Sequence, residues 1–144
     1  MKHLKIEYTL DIIPFVAKQI IETASDSHII LFNGDLGAGK TTLIKELVKT
    51  LGCNETVSSP TYALVNEYKS DKTSIYHFDL YRLEAEDELY DFGIEDYLNT
   101  SHWIFVEWPE LLKPLLNENY YEITINRREL DRRMLELEYN IVDY

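Results

Sequence analysis

The chain of 144 residues contains a single cysteine, Cys53, which excludes an internal disulfide and a cysteine-based metal cluster. Cys53 reads as a small buried thiol at a helix end. Basic residues are scarce as well. Fourteen Lys and Arg face 26 Asp and Glu, a formal charge of −12, and such a field opposes unaided attraction to a polyanion. Tight, autonomous nucleic-acid binding is therefore not expected. No apolar run approaches the roughly 20 residues that cross a bilayer, and no basic stretch leads into an apolar leader. The expectation is a cytoplasmic protein with no membrane partner. Repeats, low-complexity tracts and flexible linkers are missing too. With 45% hydrophobic residues, residues 1–144 suit one domain with one core of ordinary size.

Glycine is also sparse, yet three of the five glycines fall in one window, Gly34-Asp35-Leu36-Gly37-Ala38-Gly39-Lys40-Thr41. This window fits G-x-x-x-x-G-K-[ST], the loop that wraps nucleotide phosphates. Its flanks have the required order. Ile29 to Phe32 before it is a short apolar run, and Leu43, Leu47, Val48 and Leu51 after it recur at helical spacing. Glycines keep Cβ atoms away from the phosphates and permit positive φ angles that aim successive N–H groups inward. The helix starting near Lys40 adds partial positive charge, Lys40 would reach the β- and γ-phosphates, and the Thr41 hydroxyl would ligate Mg²⁺. Nucleotide binding is the first functional expectation.

Along the chain, Leu4 to Tyr8 reads as a strand. Thr9 is placed to cap a helix whose apolar face runs through Ile12, Ile13, Val16, Ala17, Ile20 and Ile21. Gly52 marks the end of the helix after the glycine loop. Val57, Tyr62 to Tyr68 and Ser74 to Tyr81 read as extended, with a turn at Asp71-Lys72 between the last two. Short helical regions are expected from Glu84 to Gly93 and from Ile94 to Leu98, then a buried strand at Trp103 to Val106. Tyr121 to Ile125 and Met134 to Tyr139 read as an antiparallel hairpin joined by a charged run. The sum is an α/β protein of the P-loop NTPase type, a mixed, mostly parallel sheet flanked by helices with antiparallel edge strands.

A phosphate site of this kind needs a carboxylate at the end of a buried strand, to hold Mg²⁺ directly or through water. Two runs end so: Ile75-Tyr76-His77-Phe78-Asp79 and Trp103-Ile104-Phe105-Val106-Glu107. Arg82 is an alternative partner for Asp79, and His77 reads as a satisfied structural histidine. Ser58, Ser59, Pro60, Thr61 and Tyr62 crowd hydroxyls around a proline, either as an ordinary turn before a strand or as the connection that senses the γ-phosphate in many P-loop proteins. Trp108 is either a core aromatic or a ring at a functional surface. Arg127, Arg128, Arg132 and Arg133 form a basic patch in an acidic chain, on a solvated hairpin or against a nucleotide, protein or RNA.

Together the blocks Gly34 to Thr42, Ser59 to Tyr62, His77 to Leu83 and Val106-Glu107-Trp108 make the chain resemble the TsaE family, also called YjeE, of bacterial tRNA threonylcarbamoyladenosine synthesis. The resemblance spans about Leu4 to Glu138. It implies ATP and Mg²⁺ as ligands and ATP hydrolysis that is weak alone and productive with the TsaB and TsaD proteins. tRNA would be met only through that complex. It further implies a phosphate cradle of Gly37, Ala38, Gly39, Lys40, Thr41 and Thr42, with Glu107 and Asp79 beside Thr41 at the magnesium. Lys40, Asp79 and Glu107 would form the catalytic set, and Ser59, Pro60, Thr61 and Trp108 the partner surface. Contact with the base falls to Thr9 and to Arg132 or Arg133. Three other readings share the glycine loop: a small-molecule kinase, a GTPase, which lacks an [NT]-K-x-D motif here, and a nucleotide sensor without turnover.

Overall fold

A computed structural model of the chain describes residues 3–54 and 64–142. One seven-stranded sheet carries the fold. Its strands are β1 (His3–Tyr8), β2 (Ile29–Asn33), β3 (Val65–Lys69), β4 (Ser74–Asp79), β5 (Trp103–Glu107), β6 (Tyr120–Arg127) and β7 (Arg133–Asn140). They lie in the order β1-β7-β6-β2-β5-β4-β3. The central four, β6-β2-β5-β4, run parallel, and antiparallel partners close both edges. The expected mixed sheet is therefore present, with its parallel part in the middle, where both faces are covered.

Burial on both faces explains the composition of the inner strands. Ile29, Ile30, Leu31 and Phe32 of β2 and Ile104, Phe105 and Val106 of β5 are all fully buried. One face packs against α1 (Ile13–Thr23) and α2 (Lys40–Thr50), the other against α3 (Glu86–Phe92) and α4 (Ile94–Leu98). Alternation along each strand sorts the side chains. Ile30, Phe32 and Phe105 join the first layer, whereas Ile29, Leu31, Phe78, Ile104 and Val106 join the second. Among the described residues, no helix is long and apolar enough to cross a membrane.

The parallel register positions the site. Phe32 of β2 lies opposite Glu107 of β5, and Glu107 lies opposite Asp79 of β4. The carboxyl ends of three adjacent strands thus converge where β2 passes into the glycine loop, the place where open α/β sheets hold ligands.

Two local expectations are corrected. Thr9 does not cap a backbone N–H with its side chain; its hydroxyl donates to the Asp11 carboxylate. A 3₁₀ turn over Leu10–Ile12 follows before α1 begins. Within that turn Ile12 points away from the core and is 40% exposed, so the apolar face starts at Ile13. The reason is periodicity: a turn with three residues per repeat moves Ile12 off the stripe that a continuous α-helix would have given it. Pro109–Leu111 and Lys113–Leu115 form further 3₁₀ turns that had no sequence expectation. Val57, Tyr62, Ser59, Pro60 and Thr61 lie outside the described residues.

Ile20→Ala, at a fully buried site of α1, should cost about 2–5 kcal/mol in a urea-unfolding experiment. Ile12→Ala should stay within about 0.5 kcal/mol of the parent.

Candidate functional site

From Asn33 at the end of β2 the chain turns through the loop and enters α2 at Lys40. Gly37 and Gly39 have φ +79° and +106°, values that strain any residue with a Cβ. The loop is held by the Ala38 N–H donating to the Asp35 carbonyl at 3.0 Å, and the first turn of α2 by the Leu43 N–H donating to the Gly39 carbonyl at 3.0 Å. Ala38 is buried beneath the loop, while Leu36 at its tip is exposed.

One open cavity of ≈ 250 Å³ gathers Gly37, Gly39, Lys40, Thr41, Thr42, Asp79, Glu107, Trp108 and Arg133. Lys40 is 5% exposed, and its ammonium has no hydrogen-bond partner among the described residues. Burial pushes the Lys40 ammonium below the usual lysine range, opposed by Glu107, Asp79, Glu110 and Asp35. Its Nζ sits 3.4 Å from the centre of the Trp108 ring, a contact worth about 0.5–2 kcal/mol. Trp108 itself has φ 56°, an uncommon conformation for a bulky residue. Tyr81 packs beside its ring, centroids 4.9 Å apart. Trp108 is thus half-buried and faces the cavity.

The two acids differ in their surroundings. Glu107 is 3% exposed; it accepts from the Thr41 hydroxyl, at 3.2 Å to Oε1 and 3.5 Å to Oε2, and from His77 Nε2 at 2.7 Å to Oε2. Asp79 accepts from the Tyr81 backbone N–H at 3.1 Å. Burial raises the Asp79 carboxyl above the ordinary aspartate range, the Tyr81 N–H opposes this, and the neighbouring charge of Glu107 adds to it. The Leu80 N–H donates to the Glu107 carbonyl at 3.1 Å and ties the two strand ends together.

The arginine patch divides. Arg133 Nε donates to the Ala38 carbonyl at 3.0 Å, placing the guanidinium against the glycine loop. Arg132 instead pairs with Glu7 at 3.3 Å. Thr9 and Arg132 line a second cavity with Glu7, Tyr8 and Ile12, so two of the sequence-predicted base contacts share one place, whereas Arg133, the alternative to Arg132, lines the glycine-loop cavity itself. Sequence reasoning missed the His77 bond to Glu107 and the Tyr81 ring beside Trp108. The only available signal was spacing: His77 lies two residues before Asp79, on the same face of β4.

The site fits a polyphosphate and a divalent cation. It combines a glycine cradle, a buried cation with no acceptor among the described residues, a hydroxyl, and two carboxylates. Gly39→Ala should harm the loop more than Gly37→Ala. A Cβ at Gly39 would stand 2.9 Å from Arg133 Nε, whereas at Gly37 it meets nothing within 4 Å. Both substitutions carry about 1–2 kcal/mol of left-handed strain. Chemical denaturation should find Gly39→Ala the less stable.

Comparisons with known proteins agree with this geometry. The family model for "Threonylcarbamoyl adenosine biosynthesis protein TsaE" matches residues 10–135. The tRNA threonylcarbamoyladenosine biosynthesis protein TsaE of Haemophilus influenzae is 44% identical over 84% of this chain and 77% of its own length. The protein of that name from Bacillus subtilis is 36% identical over 82% and 73%. A crystal structure of Bacillus subtilis YdiB superposes with a TM-score of 0.78 at 27% identity, covering 98% of this chain and 87% of that one. A match of this extent means that the chain belongs to the TsaE family of threonylcarbamoyl adenosine biosynthesis proteins.

Proposed function

We propose that the chain is the ATP-binding and ATP-hydrolysing subunit of tRNA threonylcarbamoyladenosine modification, at the adenosine next to the anticodon. It acts in the cytoplasm with the TsaB and TsaD proteins and meets tRNA only through them. The observation that carries this reading is the buried Lys40 ammonium, which has no acceptor among the described residues and lies at the mouth of a glycine loop with positive φ angles. A lysine desolvated in that way gains most from a ligand that brings dense negative charge.

The roles follow from chemistry and position. Backbone amides of Gly37 to Thr42 and the Lys40 ammonium would bind the phosphates and neutralise charge that spreads over the γ-phosphoryl oxygens. Thr41, Glu107 and Asp79 would hold Mg²⁺, which when bound offsets charge on the β- and γ-phosphate oxygens. Either carboxylate is placed to orient a water. Thr9 and Arg132 supply the walls for the nucleoside end. Trp108, Leu36 and Tyr81 present aromatic and apolar surface at the rim of the cavity, where a partner protein would complete the site and raise a weak basal rate. Ser59 to Thr61 belong to this proposed surface on sequence grounds.

The test is Mg²⁺-dependent ATP turnover, measured alone and with TsaB and TsaD. Turnover should rise with the partners and fall about 100-fold or more in Lys40→Ala. Turnover indifferent to the partners, or retained by the variant, would overturn the proposal.

A pH dependence follows from Asp79. A carboxyl raised by burial takes up its proton at a higher pH than a free aspartate, so the help it gives to a cation fades as pH falls through that raised value. Binding of a fluorescent ATP analogue should weaken on acidification in Mg²⁺ more than in EDTA. Asp79→Asn should remove the difference.

A further inference from the structure

His77 is fully buried on β4, two residues before Asp79. An imidazole in that layer loses hydration that an aliphatic side chain would never have had. Its return is one short bond, Nε2 to Glu107 Oε2 at 2.7 Å. The other ring nitrogen, Nδ1, has no hydrogen-bond partner among the described residues. The proton therefore belongs on Nε2, where it has an acceptor, since on Nδ1 it would be a buried orphan donor. The ring of Tyr68, with its centroid 6.3 Å away, flanks the imidazole without adding a polar contact. Among the described residues, the Glu107 carboxylate is the only hydrogen-bonding use this histidine has.

The same carboxylate is approached from its other side. Thr41 Oγ1 lies 3.2 Å from Oε1 and 3.5 Å from Oε2, so the two oxygens are divided: Oε2 belongs mainly to His77, Oε1 to the threonine of the glycine loop. We propose that His77 is a positioning residue for the divalent cation: its Nε2–H occupies Oε2 of Glu107, fixes the plane of the carboxylate, and leaves Oε1 aimed at the cation site beside Thr41. This assignment rests on the phosphate-site reading above and adds to it a specific support. Among the described residues Asp79 has no side-chain clamp of this kind, only the Tyr81 backbone N–H. Glu107 is accordingly the fixed acid of the pair and Asp79 the adjustable one. Outer contacts that orient a metal-holding carboxylate are typically worth about 10–100-fold in metal affinity.

Two substitutions separate positioning from packing. His77→Gln keeps an N–H donor at nearly the reach of Nε2, whereas His77→Asn is polar but too short to reach Oε2. The probe is Mn²⁺ in the presence of a non-hydrolysable ATP analogue, with free Mn²⁺ followed by electron paramagnetic resonance. Analogue binding in EDTA is measured in parallel. For His77→Asn the Mn²⁺ dissociation constant should rise about 10-fold or more, and for His77→Gln it should stay within about threefold of the parent. Metal-free analogue affinity should be the same in all three proteins, which also reports that the variants are folded. Equal Mn²⁺ affinity in the parent and both variants overturns the assignment, as does an equal loss in both variants accompanied by weaker metal-free binding. If the parent itself fails to bind the analogue, the ATP-site reading falls and this assignment with it. If the parent binds and only the Asn and Gln variants fail to differ, the loss is confined to His77.

Discussion

A nearly buried carboxylate at the end of β5 is the constraint around which the site is arranged. An ionised Glu107 in that position is costly unless hydrogen bonds surround it, and the chain supplies them from two directions, the hydroxyl of Thr41 on α2 and the imidazole of His77 on β4. Those bonds exist only because β2, β5 and β4 lie side by side in parallel, with Phe32, Glu107 and Asp79 in register. Slipping the β4–β5 register by one residue would turn His77 and Asp79 to the opposite face of the sheet. The alternating core, with Phe105 on one face and Ile104 and Val106 on the other, is what holds that register.

Positive charge is arranged with equal economy. The chain has few basic residues, yet two of them, Lys40 and Arg133, line the glycine-loop cavity. Lys40 lies among four acidic neighbours, yet burial is the larger influence on it. The Trp108 face gives the ammonium a neutral resting place, strong enough to keep it near the cavity and weaker than a salt bridge that a phosphate would have to break. Trp108 holds that position through a left-handed backbone angle and the flanking ring of Tyr81, which is strain placed beside the Lys40 ammonium.

Much of this was legible in the sequence, for physical reasons. The strand, glycine loop and helix were readable because glycine requirements and apolar periodicity are local. The hairpin of Tyr121 to Ile125 with Met134 to Tyr139 was readable because alternation with period two persists on both arms. Asp79 and Glu107 stood out as acids ending buried runs, and the structure puts them opposite each other. The bond between His77 and Glu107 was not legible, since it joins residues thirty positions apart whose strands had no predicted order. Arg132 and Arg133 looked equivalent along the sequence, and only the folded sheet separates them: Arg133 opens β7 and reaches the Ala38 carbonyl, while Arg132 just before the strand pairs with Glu7. At Ile12 the error was one of period: a 3₁₀ turn replaced the first turn of the helix.

The strand order also bears on how the protein is made. Strand β1 finds its partner in β7, more than a hundred positions further along the chain, with His3 opposite Glu138 and Tyr8 opposite Arg133. The glycine loop leaves the ribosome well before β6, which flanks β2, and before Arg133, which touches Ala38. A nascent chain therefore carries an unfinished sheet, its β2 edge open, until β6 has been made. Closure depends on contacts between distant parts of the chain, the kind that form slowly.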